Sequence, residues 1–354
     1  MDAETGASPA RERFYFRAPG IGESGIVAGP VLRSGWRDSA LHVLAAAQVE
    51  DGREAVSEQG RLRLRSSDVA RPGVTHFIQF EERRNGLADP LQADAGYAQL
   101  DESAPGAVPS AELAVAPAFR GRGFGRHLID TVLDEAEGEY VDFWAHGGHP
   151  AARHLAEHYG AELVRELRQM RRGLSRAGEA EAGPAGVALP EGITLRTFRP
   201  GADDAQWLRL NALAFAHHPE QGAWTERDLA DRVAEPWFDP AGFFLATRGE
   251  RVVGFHWTKV HPATDTEPAL GEVYVVGVDP AEQGSGLGRA LTAAGLRHLA
   301  VDRGLETVLL YVDADNPAAV RVYERLGFTI HEVDLMYRVQ HREDRESATR
   351  RPRP

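Results

Sequence analysis

The chain has no cysteine among its 354 residues, which excludes disulfides, thiolate metal sites and a cysteine nucleophile together. Acyl transfer, if it occurs, must then use another nucleophile or pass directly from donor to acceptor, and no metal site is expected. Excess positive charge is lacking too: 40 basic residues stand against 53 acidic ones, a formal net charge of −13. A phosphate backbone demands a basic face, so nucleic acid is not an expected partner. Lysine is almost absent, Lys259 being the single one among the basic residues. A bias towards arginine codons explains the scarcity, and it makes the surviving lysine notable, because an ordinary surface position accepts arginine. No apolar run approaches the roughly 20 residues of a membrane span. The N-terminus lacks the basic-then-apolar order of a signal peptide. The expectation is a cytoplasmic monomer with no membrane contact. Its apolar (42%) and charged (26%) fractions are those of a globular protein.

The length allows two domains of ordinary size. Residues 1–36 mix Gly, Pro, Ser and charge without periodicity and read as a poorly ordered extension. Residues 175–190 are rich in Ala, Gly and Glu and read as a linker. Residues 341–354 read as a disordered tail, and the stretch from Glu81 to Ser110 is irregular. The remaining segments, 37–174 and 191–340, resemble each other. At an offset of 163, Val115 matches Val278, Pro117 matches Pro280, Gly123 matches Gly286, Gly125 matches Gly288 and Arg126 matches Arg289. At an offset of 167, HPAARHLAEHYGA (149–161) matches NPAAVRVYERLGF (316–328). One loop insertion accounts for the change of offset. A period this long is a duplicated domain, not a solenoid repeat.

In the second copy, ITLRTFRP reads as a strand and DDAQWLRLNALAFA as a helix. Thr225 is placed to cap a short helix. FFLATR and VVGFHWTKV, joined at Gly249-Glu250, form a hairpin. GEVYVVGV is a strand, and a helix runs from about Gly286 to Arg303. TVLLYVD, a helix from about Pro317 to Leu326, and a closing strand FTIHEVDLMYRV complete the copy. This is an α/β (α+β) pattern with a mixed sheet in each half, not a regular alternation.

Gln283-Gly284-Ser285-Gly286-Leu287-Gly288 lies between a strand and a helix. Glycines let backbone approach phosphate oxygens, and the helix N-terminus presents unbonded N–H groups and a favourable dipole. Arg120-Gly121-Arg122-Gly123-Phe124-Gly125 repeats the setting, with two arginines to add charge. One such loop alone is equally a tight turn; two, each with Val-x-Pro upstream and Gly-Arg-x-Leu downstream, are not chance. The dinucleotide fingerprint is excluded for want of a regular βαβ unit.

R/Q-x-x-G-x-G/A after a strand resembles the signature of the GNAT acetyltransferase superfamily. The resemblance implies tandem acyl-CoA N-acyltransferase domains, each a mostly antiparallel sheet flanked by helices, with acetyl-CoA as donor. In that fold the strand before the loop is splayed from its neighbour by a bulge, and the pantetheine lies along it. The resemblance thus assigns Leu113, Ala114, Val115, Gly121, Arg122, Gly123, Phe124, Gly125 and Arg126 to the donor in the first copy. In the second it assigns Val276, Gly277, Val278, Gln283, Gly284, Ser285, Gly286, Leu287, Gly288 and Arg289, with Asn316, Ala318, Ala319 and Arg321 further on.

The copies differ where chemistry is expected. Tyr323 is matched by Ala156. By resemblance, a tyrosine there protonates the departing thiolate, a task suited to a neutral phenol; the alternative is a core tyrosine. Glu272, at the start of the strand leading to the loop, is placed to take the amine proton; the alternative is a solvated acid at a strand end. The first domain is therefore expected not to catalyse. AFAHHPEQGAWT, WFDPAGFFLA, GFHWTKVHP, GEVYVVGVDP and LLYVDADNPAAVRVYERLGF look like the mycothiol synthase family of actinobacteria, as do FWAHG and RELRQMRR in the first half. That resemblance implies acetylation of the cysteinyl amine of a cysteine–glucosamine–inositol. It places Glu58, Glu220, Lys259, Glu272 and Tyr311 at the acceptor, Lys259 for positioning. His217, Trp224, Trp237, His256 and Trp257 are expected nearby as a sugar pocket. Gly284-Ser285 departs from the two basic residues many relatives have, leaving phosphate contacts more to backbone. Open alternatives are a tandem enzyme for an aminoglycoside or a protein N-terminus, and an acyl-CoA sensor that does not turn over.

Overall fold

The computed structural model describes residues 13–16, 24–83, 91–182, 189–216, 219–264 and 267–341. By contacts the chain divides into two compact units, Met1–Glu166 with Val333–Pro354, and Leu167–Glu332. The elements of the first half are β1 (Arg13–Phe16), β2 (Ser24–Gly29), α1 (Ser34–Asp51), α2 (Glu58–Arg65), β3 (Val74–Arg83), β4 (Leu91–Asp101), β5 (Ser110–Val115), α3 (Phe124–Glu135), β6 (Tyr140–Ala145), α4 (Pro150–Tyr159) and β7 (Glu162–Gly173). There follow α5 (Arg176–Ala182), β8 (Ile193–Thr197), α6 (Asp204–Ala214), α7 (Pro219–Gly222), α8 (Glu226–Val233), β9 (Phe243–Arg248), β10 (Arg251–His261) and β11 (Leu270–Val278). The chain continues through α9 (Leu287–Arg297), β12 (Thr307–Asp313), α10 (Pro317–Arg325) and β13 (Thr329–Gln340).

Local chemistry sets these boundaries. Thr225 and Asp228 form a reciprocal capping box at the start of α8, satisfying two otherwise orphaned N–H groups. Asn316 caps α10 and Pro317 occupies its first turn, where a missing N–H costs nothing. Gly160 closes α4 in the left-handed region.

In the first unit the strands run β1-β2-β3-β4-β5-β6-β13, antiparallel except for β5 beside β6. In the second they run β7-β12-β11-β10-β9-β8, with β11 and β12 parallel. Each sheet is covered on both faces. Ile26, Phe77, Leu128, Val132 and Phe143 pack on the α3 face of the first. Val43, Leu44, Leu64, Ile78 and Tyr97 pack on the α1 face. In the second unit Trp207, Leu229, Phe243, Phe255 and Trp257 form the α6/α8 face, and Leu296, Leu299, Leu310 and Val320 lie on the α9/α10 face.

Four features differ from the sequence reading. Residues 24–36 are not a disordered extension: β2 is buried along its whole length and pairs with β3. The stretch read as irregular after Glu81 contains β4, which pairs with β3 and β5. Half of the linker is helical, as α5. The closing strands are also exchanged. Residues Leu167–Gly173 of β7 pair with β12 in the second sheet, and Leu335–Gln340 of β13 pair with β6 in the first. A strand's own pattern says which residues are buried, not which sheet receives them. Residues 183–188 of the linker and 342–354 of the tail lie outside the described residues.

Candidate active site

The parallel strands of each unit part company after a few residues. Only Gly271, Glu272 and Val273 of β11 pair with β12, whereas β12 continues alongside β7 to Asp313. Among the described residues, Val275–Val278 therefore keeps its partner β10 on one side and has no strand partner on the other. In the first unit, β5 pairs with β6 only at Ser110 and Ala111. The expected bulge is present in the second unit alone: the register jumps from Thr258↔Val273 to Trp257↔Val275, making Tyr274 the extra residue. β5 pairs with β4 without a jump, so its divergence needs no bulge.

At the end of each split strand the chain turns through its glycine loop. Gly284 and Gly286 have φ of +80° and +87°, and Gly121 and Gly123 have +70° and +88°. A side chain is strained in that region. Gly286 and Gly123 cap α9 and α3, whose first-turn N–H groups have no acceptor within the helix. Gly288 is more telling. It is helical, and a Cβ there meets nothing closer than Val278 Cγ2 at 3.6 Å. No internal packing demands glycine there, so the position leaves room for an approaching group. Gly277 has the opposite cause: a Cβ there would meet the Phe255 ring at 2.6 Å. Val276 and Val278 pack towards α9, so what they leave for a ligand is backbone.

The charges at the loops are not alike. Arg120 holds Asp51 through two 2.7 Å bonds and donates to the Val115 carbonyl at 3.1 Å. Its hydrogen bonds keep the Asp51 carboxyl below its usual range despite burial. Arg122 pairs with Glu81 and lies over Phe119 and Phe124. Both arginines expected to add charge thus have carboxylate partners. In the second loop Gln283, Gly284, Ser285 and Arg289 are exposed, and the Ser285 hydroxyl donates to the Glu282 carbonyl. Arg126 is exposed on α3 and Arg321 on α10. Asn316 accepts from Ala319 N as a cap, and Ala319 packs on the core. The side chain of Ala318 lies outside the described residues.

One face of the second sheet gathers the polar residues. Glu272 is 5% exposed and stands opposite Lys259 on β10 and Leu309 on β12. Its carboxylate takes a hydrogen bond from His261 Nε2 at 2.6 Å. The Lys259 ammonium lies 4.5 Å from the Trp237 ring and 5.1 Å from the Tyr274 ring. Tyr311, two residues beyond Leu309, shares the face by strand alternation and accepts from Gln169 of β7 at 2.9 Å. Arg171 orients that amide at 2.7 Å and pairs with Glu267. Trp224 lies against Arg232, whose guanidinium is 3.7 Å from its ring centroid.

Tyr323 stands on the other face. It packs on the cluster of Val273, Leu310 and Phe328, its ring 5.8 Å from that of Phe328. Burial pushes its phenol above the usual value, so it is protonated at neutral pH. Its hydroxyl makes no hydrogen bond among the described residues. Glu272 and Tyr323 thus flank the split from opposite faces.

The expected residues are not all assembled. Glu272, Lys259 and Tyr311 share a face. Glu58 opens α2 of the first unit. Glu220 lies on α7 with its side chain outside the described residues, as does the whole of His217. Two aromatic expectations fail. Trp257 is fully buried, stacked on Phe243 at 4.5 Å. His256 points to the α9 face, where Nδ1 donates to the Leu291 carbonyl at 2.8 Å and burial pushes it down to about 4. Sequence reading missed His261, although it follows Lys259 at strand spacing. It missed Gln169 and Arg171 because β7 belongs to the first half in sequence.

The first unit lacks the flanking pair. The bulge at Tyr274 shifts the equivalence by one, so Ser110, paired with Asp142, occupies the place of Glu272, and Ala156 that of Tyr323. Its buried charge is a closed cluster: His146 lies 3.5 Å from Glu112 and 3.3 Å from Asp334. The backbone of Ser57 donates to Glu112 at 2.9 Å, and that of Gly147 to Asp334 at 2.7 Å. Burial disfavours the charged His146, yet the two carboxylates raise it to about 10. Burial likewise works against ionised Glu112, and the contacts of His146 and Ser57 overcome it.

A split between parallel strands that ends in a glycine loop at a helix N-terminus, present in both halves, defines a duplicated N-acyltransferase fold. The acetyltransferase (GNAT) family pattern matches residues 91–161 and 207–328. Mycothiol acetyltransferases of Streptomyces scabiei and Streptomyces avermitilis are 56% and 55% identical to this chain. They align over 87% and 91% of it, and over 93% and 97% of their own lengths. That of Pseudarthrobacter chlorophenolicus is 46% identical over 88% of this chain and 94% of its own. A tandem GNAT protein from the clavulanic acid pathway has the same fold, with a TM-score of 0.64 at 18% identity, covering 90% of this chain and 99% of the other. A GCN5-related N-acetyltransferase from Sphaerobacter thermophilus gives a TM-score of 0.56 at 24% identity, covering 90% and 96%. The chain belongs to the GNAT acetyltransferase family and, within it, to the mycothiol acetyltransferases. Members of the family take acetyl-CoA as acetyl donor. Among the described residues no helix is long and apolar enough to cross a membrane, and no cluster of side chains is suited to a metal ion.

Proposed function

We propose that this chain transfers the acetyl group of acetyl-CoA to the cysteinyl amine of a cysteinyl-glucosaminyl-inositol, giving mycothiol, and that the second unit alone does the chemistry. The observation that carries the reading is the split between β11 and β12 with Glu272 on one face and Tyr323 on the other. The Gly284–Gly288 loop and the α9 N-terminus hold the pyrophosphate, and the parted edge of β11 receives the pantetheine arm. Glu272 accepts a proton from the acceptor ammonium, whose unperturbed pKa is about 7.7–8.0. The free amine attacks the thioester carbonyl, the carbon–sulfur bond breaks, and the thiolate leaves with the proton of Tyr323; the proton that the nitrogen sheds as the amide forms returns to the phenolate through solvent. Direct attack requires no covalent enzyme intermediate. Lys259, Tyr311 and Glu220 position the polyol. The first unit keeps a donor loop at Gly121–Gly125 without the base or the acid. We read the protein as a cytoplasmic monomer.

Incubation of the purified chain with acetyl-CoA and the cysteinyl conjugate tests this, with mass spectrometry of the product. A gain of one acetyl group on the cysteinyl nitrogen is expected. Acetylation of an aminoglycoside or a peptide N-terminus, with the conjugate untouched, would overturn the acceptor. Binding of acetyl-CoA without turnover of any of them would overturn the enzyme.

A further inference from the structure

Resting on Glu272 as the base, we infer that His261 is its positioning residue: the imidazole fixes one carboxylate oxygen and leaves the other to the acceptor amine. Glu272 is buried on a strand, and a buried carboxylate is costly unless hydrogen-bonded. Among the described residues its one side-chain hydrogen bond comes from His261 Nε2 to Oε2, at 2.6 Å. Lys259, directly across on β10, does not serve, because its ammonium is drawn to the rings of Trp237 and Tyr274. Arg171, which shares the row through Leu309, is engaged by Gln169 and Glu267. The charged groups around the carboxylate therefore leave its orientation to the histidine.

The placement of His261 is deliberate in geometry. It lies at the end of β10, two residues after Lys259 and on the same face, diagonal to Glu272 across the ladder. Its side chain is 36% exposed while that of Glu272 is 7% exposed. The ring thus reaches from solvent to the carboxylate. Nε2 donates to Oε2, so the anti and syn lone pairs of Oε1 remain for the ammonium proton.

The test compares wild type, Glu272→Gln, His261→Phe and His261→Gln with acetyl-CoA and the cysteinyl conjugate, recording kcat and both KM values. His261→Phe is expected to lower kcat about 10–100-fold, the loss of one hydrogen bond to a charged group. The KM for acetyl-CoA stays put. His261→Gln, which retains a donor, restores much of kcat. An unchanged kcat in His261→Phe, beside an inactive Glu272→Gln, overturns this inference and leaves the base assignment standing. An active Glu272→Gln removes the base assignment and this inference with it.

Discussion

Replacing Tyr323 by Phe removes one oxygen atom and nothing else that the fold uses. The ring packs against Phe328 and the apolar cluster around Leu310, and phenylalanine preserves both contacts. The hydroxyl has no hydrogen-bond partner among the described residues, so its loss orphans no donor or acceptor. Removing a polar group that is not bonded is close to neutral for stability, and the melting temperature is expected to stay within a degree or two. Catalysis is another matter. A positioned general acid contributes typically about 10²–10⁴ in rate, or about 3–5 kcal/mol of transition-state stabilisation. Because burial raises the phenol above its ordinary value, it carries its proton across the whole neutral range, and the deficit should not depend on pH between about 6 and 9. Coenzyme A release followed with a thiol reagent measures kcat, and a parallel thermal melt measures stability. Turnover within twofold of wild type would refute the general-acid role. A lowered melting temperature with unchanged kcat would make Tyr323 a core residue after all.

Gly288→Ala separates ligand space from packing. The helix accepts the methyl without strain, its nearest neighbour 3.6 Å away, and stability should hold or rise slightly. kcat/KM for acetyl-CoA should fall about 10–100-fold, the cost of displacing a reactant by roughly 1 Å; unaltered kinetics would mean that no phosphate approaches there. In the first unit, His146 is raised from 6.5 to about 10 between its carboxylates. Its stabilisation is fully present below pH 6.5 and is lost as pH rises towards 10. Denaturant melts at pH 6.5 and 9.5 should show that decline in wild type and a flatter response in His146→Gln; equal slopes would discount the cluster.

Most elements of the second half were legible because each carries a local signal. Thr225 caps, Gly249 turns, and the runs of aromatic and β-branched residues on either side of it read as strands. β2 escaped because SGIVAG is buried on both faces, which erases the alternation that marks a half-exposed strand. β4 escaped because Ala and Gly blur its pattern. The glycine loops were legible as strand-to-helix turns, since glycines repeated in that setting in both halves mark where the chain takes positive φ. The acceptor side was less so. Neighbouring residues on a strand face opposite ways, so His256 and Trp257 were never able to line one pocket, and parity alone argued against pairing them. Parity equally placed His261 with Lys259. By contrast, nothing before the structure connects Gln169 to Tyr311, because strand pairing over long sequence separation leaves no local trace.

The exchange of closing strands has a consequence during synthesis. The second unit is one unbroken stretch, Leu167–Glu332, and has every strand of its sheet once that stretch has emerged. The first unit, although translated earlier, must wait. Arg338 meets Asp142 across 196 positions, and at about 5–20 residues per second that is a delay of roughly 10–40 s. Throughout it the edge of β6 has no β13, and an open strand edge invites foreign pairing. The half of the molecule that begins first is therefore the last to be finished, and a nascent chain stalled before residue 335 should expose an incomplete first unit while the second unit has all of its strands.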